Sequence, residues 1–412
     1  MSANRASANH VPAKRSPGNR DLAIDATRGV AIWSMVTAHF ATESALAAPT
    51  HSFNYVDGMS AFVMLSGIVL GLVYQRWVTR YGLRFAYVRL LKRIAVLYCC
   101  QLLIALVAVA AALAGHRWLT LLLPIDGWMQ GIWLSVTMQY LPSGGNILLL
   151  YMVLMATAFA LFPMLQRGWW APILAASLAL YVLSLFWSPD WFYLSAYQAA
   201  PHIQNVAGWQ IMFIPSVVIG WNWTRWGVPE FVDRWLLVII AVAVAVALFF
   251  HYGIDTGPWA HLEPKLADKL DFRPARAIGA YLAIPALYGV FRLFLRRWHH
   301  DWLRPLVMTG TRSLDSYVIQ AIALVVVPIH IAHRPWDDIT MQSVALLVFG
   351  ACWAWAEFRH FMHIDKLHRV PGRVVRRLAD QRKPSDPTPG PAHRPDRETP
   401  TGEQLHTTGA HV

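Results

Sequence analysis

Apolar residues run along this chain in long blocks parted by short polar interruptions. Ten of the blocks are long enough to cross a bilayer as helices, which takes about 17–25 residues each. They fall near 22–43, 57–75, 93–114, 146–165, 170–187, 207–224, 235–252, 276–295, 313–331 and 340–358. The pattern predicts an all-α fold, a polytopic transmembrane bundle of about ten helices. One further stretch, "PIDGWMQGIWLSVTMQY" (124–140), is aromatic and amphipathic, and is expected to lie at the interface or to re-enter.

The interruptions set the orientation. The loop 76–93 holds Arg76, Arg80, Arg84, Arg89, Lys92 and Arg93, and 292–312 holds Arg292, Arg296, Arg297, Arg304 and Arg312. The loops 44–56 and 188–206 contain neither Lys nor Arg. Because Lys and Arg gather in cytoplasmic loops, this alternation places both termini and the basic loops in the cytoplasm and requires an even number of helices. Loop 253–275 then faces outward, yet it carries Lys265, Lys269 and Arg273. Charge turned outward needs a reason, and a ligand is one.

Composition agrees. Of the 412 residues, 56% are hydrophobic and 14% charged, against about 25% charged in soluble domains. The formal charge of +12 is accounted for by cytoplasmic Lys and Arg and does not call for nucleic acid. Three cysteines, with Cys99 and Cys100 adjacent, make neither a disulfide framework nor a spaced metal site. There is no Walker motif and no internal repeat. The polar, basic residues 1–20 lack a small-residue cleavage site, so the first helix is read as uncleaved. Beyond 359 the chain turns basic and then rich in Pro, Thr and Gly, the composition of a disordered cytoplasmic tail. The domain organisation is thus a basic N-terminal segment (1–20), a transmembrane domain (21–358) and a Pro-rich tail (359–412).

The first block holds candidate chemistry. In "IDATRGVAIWSMVTAHFATE" (24–43), Arg28 and His39 interrupt an apolar helix, although a charge at mid-bilayer costs roughly 3 kcal/mol even on lenient scales. At about 100° per residue, eleven residues end about 20° past three full turns, so the two side chains share a face about 16 Å apart along the axis. Asp25 and Glu43 extend that face into one polar stripe. Lipid cannot satisfy it, so it must face a cavity or other helices. A histidine suits proton removal from a hydroxyl, and an arginine suits recognition of phosphate or carboxylate. The plainer alternative is a snorkelling Arg28 paired with Asp25 and an interfacial His39.

These residues resemble a known superfamily. "RDLAIDATRGVAIWSMVTAHF" (20–40) is similar to the first helix of the integral-membrane acyltransferases, and "VDGMSAFVMLSGIVLGLVY" (56–74) to the second, with its Ser-Gly pair at Ser66 and Gly67. In order, "NILLLYMVLMATAFALFP" (146–163), "NVAGWQIMFIPSVVIG" (205–220), "DKLDFRPAR" (268–276) and "GTRSLDSYVIQ" (310–320) resemble the OpgC family. Its members transfer succinyl groups to osmoregulated periplasmic glucans. The chain departs from the family's usual acidic residues at Ala38 and Asn146.

The resemblance implies a multi-pass protein of the inner or plasma membrane. Such a protein moves an acyl group from cytoplasmic acyl-CoA, either succinyl-CoA or acetyl-CoA, to a hydroxyl of an envelope glycan, without a metal. On that reading His39 and Arg28 are the catalytic candidates, His39 either deprotonating the sugar hydroxyl or taking the acyl group as a covalent intermediate. Arg89, Lys92 and Arg93 would meet the CoA phosphates, unless they are ordinary cytoplasmic-side bias. Asn205, Trp209 and Gln210 would bind sugar, or else form a helix cap with an aromatic anchor. Lys269 or Arg273 would meet the free carboxylate of a dicarboxylic acyl group, or else pair with Asp268 and Asp271. Ser66 and Gly67 are close-packing residues. The rival function is a transporter or flippase of an anionic envelope precursor, in which the stripe lines a path.

Overall fold

The computed structural model describes residues 21–363, except 43, 52–54, 117–118, 120–121, 143–145, 198–202, 299, 332–333 and the side chain of 300. Glu43, the N-terminal segment 1–20 and the tail beyond 363 lie outside the described residues. The chain separates into two compact units, 1–358 and 359–412, and the site described below belongs to the first.

The fold is all-α, as the apolar blocks predict. The helices are α1 (Leu22–Phe40), α2 (Ala48–His51), α3 (Gly58–Leu113), α4 (Trp128–Val136), α5 (Ile147–Ala156), α6 (Ala158–Gln166) and α7 (Trp170–Phe186). After them come α8 (Val206–Trp221), α9 (Val228–Phe249), α10 (Glu263–Ala267), α11 (Pro274–Arg297), α12 (Arg304–Thr311), α13 (Ser313–Val326) and α14 (Asp338–Phe361). Two-residue strands, β1 (Tyr193–Leu194) and β2 (Gln204–Asn205), pair antiparallel between α7 and α8.

Six helical stretches among the described residues are long and apolar enough to cross a membrane: Gly58–Leu113, Ile147–Gln166, Val228–Asp255, Pro274–Arg297, Ser313–Ile331 and Asp338–Phe361. Trp170–Phe186 and Val206–Trp221 are shorter apolar helices. The amphipathic stretch 124–140 holds the nine-residue α4, which leaves Trp128, Met129 and Trp133 exposed.

Side chains start the helices that matter most here. Asp21 accepts from the Ala23 amide at 3.0 Å and opens α1. Asp57 accepts from the Ser60 amide at 2.8 Å and opens α3. Asn205 accepts from the Gly208 amide at 3.1 Å and opens α8. Each side-chain oxygen satisfies an amide that the first turn would leave without a partner.

One reading is corrected. The stretch 76–93, expected as a loop, is helical on both sides of Gly82, whose φ of 82° and ψ of 169° break α3. Arg, Leu, Lys and Ala support a helix, and this stretch contains neither Pro nor Asn. Only glycine takes such a backbone conformation readily, so the turn sits at that residue. The blocks 57–75 and 93–114 are therefore two arms of one broken helix.

Helix α1 lies in the core, against α3, α11, α12 and α13. Glycines permit its closest contact: a Cβ on Gly29 would fall 2.0 Å from the Leu306 carbonyl oxygen, and one on Gly310 would fall 1.8 Å from that of Asp25. The backbones of α1 and α12 thus touch beside Arg28. Small residues at such crossings let packing hold helices together where lipid supplies no hydrophobic drive. Gly67 does the same between α3 and α8, where a Cβ would meet the Phe213 carbonyl oxygen at 2.8 Å.

Candidate functional site

The stripe on α1 is turned inward. Asp25 is 3% and Arg28 8% exposed, both enclosed by helices and not by lipid. His39 lies in the last turn, partly buried. Its backbone carbonyl accepts a hydrogen bond from Arg334 Nη2 at 3.1 Å. That guanidinium sits 4.5 Å from the ring centre of Trp336, and Trp336 stacks on Phe40 at 6.3 Å. The loop before α14 is thereby pinned to the end of α1. The charges acting on the imidazole come from Lys269, Arg334 and His51.

The segment 268–273 joins the start of α8 to the same end of the bundle. Asp271 accepts from Tyr193 Oη at 2.6 Å, from Asn205 Nδ2 at 3.2 Å and from Arg273 Nη2 at 2.8 Å. Burial alone would raise its carboxyl, but those three donors hold it below the ordinary carboxylate range. Phe272, at φ 52°, is wholly buried against Trp209 with ring centres 4.3 Å apart. The Tyr181 hydroxyl donates to its carbonyl at 3.0 Å. A Cβ on Gly208 would lie 2.2 Å from the Asp271 carbonyl oxygen, so the turn presses on the first turn of α8.

Here the residues singled out from sequence find their partners. Lys269 meets Asp57 across the bundle at 2.7 Å, not Asp268 or Asp271. Burial alone would raise the Asp57 carboxyl, but the Lys269 ammonium and the Ser60 donors bring it down to about 2. Arg273 divides its fork between Asp271 and the Leu185 carbonyl, the latter at 2.9 Å. Asn205 uses its oxygen as the α8 cap and its amide nitrogen on Ser188 and Asp271. Gln210 accepts from Ser177 Oγ at 2.6 Å and donates to the Ser177 carbonyl at 2.8 Å. Trp209 is fully buried. Asn205 is thus the cap of α8, Trp209 is packed inside the protein on Phe272, and both amides are engaged inside the protein.

Arg89, Lys92 and Arg93 lie on the second arm of α3, away from these residues. From Gly58 to Gly82 is 82 − 58 = 24 residues, about 36 Å of helix at 1.5 Å per residue, against a hydrocarbon core of about 30 Å. Arg89 and Lys92 are exposed, and the Arg89 guanidinium lies 5.0 Å from the Phe85 ring centre. A cavity of about 310 Å³, lined by Ile24, Ile68, Trp223, Phe231, Pro285 and Tyr288 among others, touches none of the candidate residues. It is not the candidate active site.

Arg334, Asp57 and Gln101 escaped the sequence reading. Arg334 and Asp57 approach the site through tertiary contacts that no local pattern announces. Gln101 and Gln320 are wholly buried, and their amides make no hydrogen bond among the described residues. Their signal was available: an amide inside an apolar block is costly, as a charge is. Among the described residues, no group of three or more His, Cys, Asp or Glu is placed to hold a metal ion.

Comparison with known proteins gives one result. The family model described as OpgC protein matches residues 20–363. No curated protein and no solved structure matches the chain.

Proposed function

Since the chain belongs to the OpgC family, we propose that this multi-pass membrane protein is an O-acyltransferase of the cell's inner or plasma membrane. It carries an acyl group from cytoplasmic acyl-CoA to a hydroxyl of an envelope glycan, with succinyl-CoA or acetyl-CoA as donor. The observation that carries this reading is the inward-facing stripe of α1, with Arg28 buried in the bundle and His39 at its end.

The His39 imidazole removes the proton of the acceptor hydroxyl as its oxygen attacks the thioester carbonyl. A C–O bond forms, the C–S bond breaks, and the CoA thiolate leaves and is protonated. Arg28 stabilises negative charge on the donor along the same face. Arg89, Lys92 and Arg93, on the second arm of α3, hold the CoA phosphates. Asn205 and Trp209 hold the 268–273 turn, and Gln210 locks α8 to α7. Lys269 and Arg273, each already facing a carboxylate, set the charge around the acceptor.

The test is acyl transfer by purified protein in nanodiscs, with labelled succinyl-CoA or acetyl-CoA and an envelope-glycan extract. Wild type should label the glycan, and His39→Gln should lower the rate by about 10²–10⁴-fold, the usual worth of a general base. Transfer retained in the variant would sink the mechanism. No transfer by folded wild-type protein with either donor would favour the transporter, with the stripe lining its path.

A further inference from the structure

Arg334 stands apart from the other cations at the His39 end of the bundle. Lys269 faces Asp57 at 2.7 Å and Arg273 faces Asp271 at 2.8 Å. Arg334 is exposed, and among the described residues no carboxylate lies within ion-pair distance of it. One of its N–H groups is spent on the His39 carbonyl. The flat face of its guanidinium is held on Trp336, which is itself held on Phe40. A guanidinium has five N–H donors in a fixed fork matched to a planar anion, and stacking fixes that fork in advance. Its hydrogen bond to the last turn of α1 also suffices to place the charge beside the candidate base.

We infer that Arg334 is a specificity-determining residue that binds an anionic group of the substrate next to His39, namely the free carboxylate of a dicarboxylic acyl group. The inference rests on the acyltransferase reading. It replaces Lys269 and Arg273 in that role, because both already face carboxylates, whereas among the described residues Arg334 faces none. The carboxylate would lie at the open edge of the fork, leaving the acyl carbonyl toward the imidazole. The merely structural reading is that Arg334 clamps the end of α1 by holding the His39 carbonyl. The two differ in what they do to donor choice: a clamp serves every donor equally, and a carboxylate reader serves one.

The experiment compares succinyl and acetyl transfer in wild type, Arg334→Gln and Arg334→Lys in nanodiscs, with melting temperature monitored. A site built to bind a polar group rejects a substrate lacking it, or loses its preference once the site's own group is removed, by about 10²-fold or more. The ratio of succinyl to acetyl transfer should therefore fall by about that factor in Arg334→Gln and by less in Arg334→Lys, which keeps charge without the fork. Equal loss with both donors, or an unchanged ratio, overturns the proposal. If wild type transfers neither acyl group, the acyltransferase reading itself fails. Arg334 is then judged by binding: succinate, but not acetate, should raise the melting temperature of wild type and not of Arg334→Gln. A rise with inorganic phosphate in place of succinate assigns the fork to a phosphate-bearing acceptor and overturns the carboxylate.

Discussion

At the scale of single residues, the Asp57–Lys269 pair gives the clearest pH prediction. Asp57 caps α3 and faces the ammonium that acts on His39. Its carboxyl, at about 2 in the folded protein, lies below the unfolded value of about 3.9. A depressed carboxylate adds stability that is fully present above the unfolded value and disappears as pH falls through the folded one. Asn caps a helix about as well as Asp, so Asp57→Asn removes the charge and keeps the cap. The melting temperature of the variant in detergent should lie below that of wild type from pH 5 to 8, and the gap should close as pH is brought toward 2. A gap independent of pH would mean that the variant loses capping or packing, not the ion pair. Because the Asp57 carboxyl stays charged throughout the neutral range, its own titration cannot cause an activity change between pH 5 and 8.

At the scale of elements, the apolar blocks made most of the helices legible, since a block of hydrophobic residues of bilayer length has few other uses. The break inside α3 was less legible. A basic run between two apolar blocks reads as a loop, yet the residues in it are helix formers and the turn resides in Gly82 alone. Gly82→Ala should therefore destabilise the protein by about 1–3 kcal/mol, the cost of a side chain in that backbone region, as read from thermal unfolding in detergent. The α1–α12 crossing was not legible either, because Gly29 and Gly310 meet across most of the chain. A Cβ at Gly310 would overlap the Asp25 carbonyl oxygen, so Gly310→Ala must push α1 away from α12 at the turn that holds Arg28. Acyl transfer should fall with it even where the protein still folds. Wild-type turnover in the variant would separate the crossing from the site. Of the site itself, Arg28 and His39 could be read from their spacing on one helix. The Arg334 contact with His39 spans 295 residues, and Lys269 chose Asp57 over nearer carboxylates. Such choices are made by packing, which a single sequence does not display.

At the scale of the molecule, the proposed reaction requires two ends with different duties, and the helices offer a way to bring them together. The first arm of α3 separates Asp57 from the basic arm by about 36 Å of helix. The neighbouring helices α7 and α8 have 17 and 16 residues, about 26 and 24 Å at 1.5 Å per residue, which is shorter than the hydrocarbon core of about 30 Å. Ser177 and Gln210 lock these two short helices together. A short pair favours a locally thinned bilayer, and a thinned bilayer shortens the path from a cytoplasmic donor to an outer acceptor. Ten crossings with both termini inside would place Arg84 in the cytoplasm and Lys265 outside. In a background with Cys99, Cys100 and Cys352 replaced by Ser, Lys265→Cys should react with a membrane-impermeant maleimide in intact cells. Arg84→Cys should react only after the membrane is opened. If both react from outside, donor and acceptor meet on one face, and the stripe of α1 need not span from one side to the other. If the labelling divides as expected, Arg28 lies between the two faces, where it can act on a donor reaching inward from the basic arm.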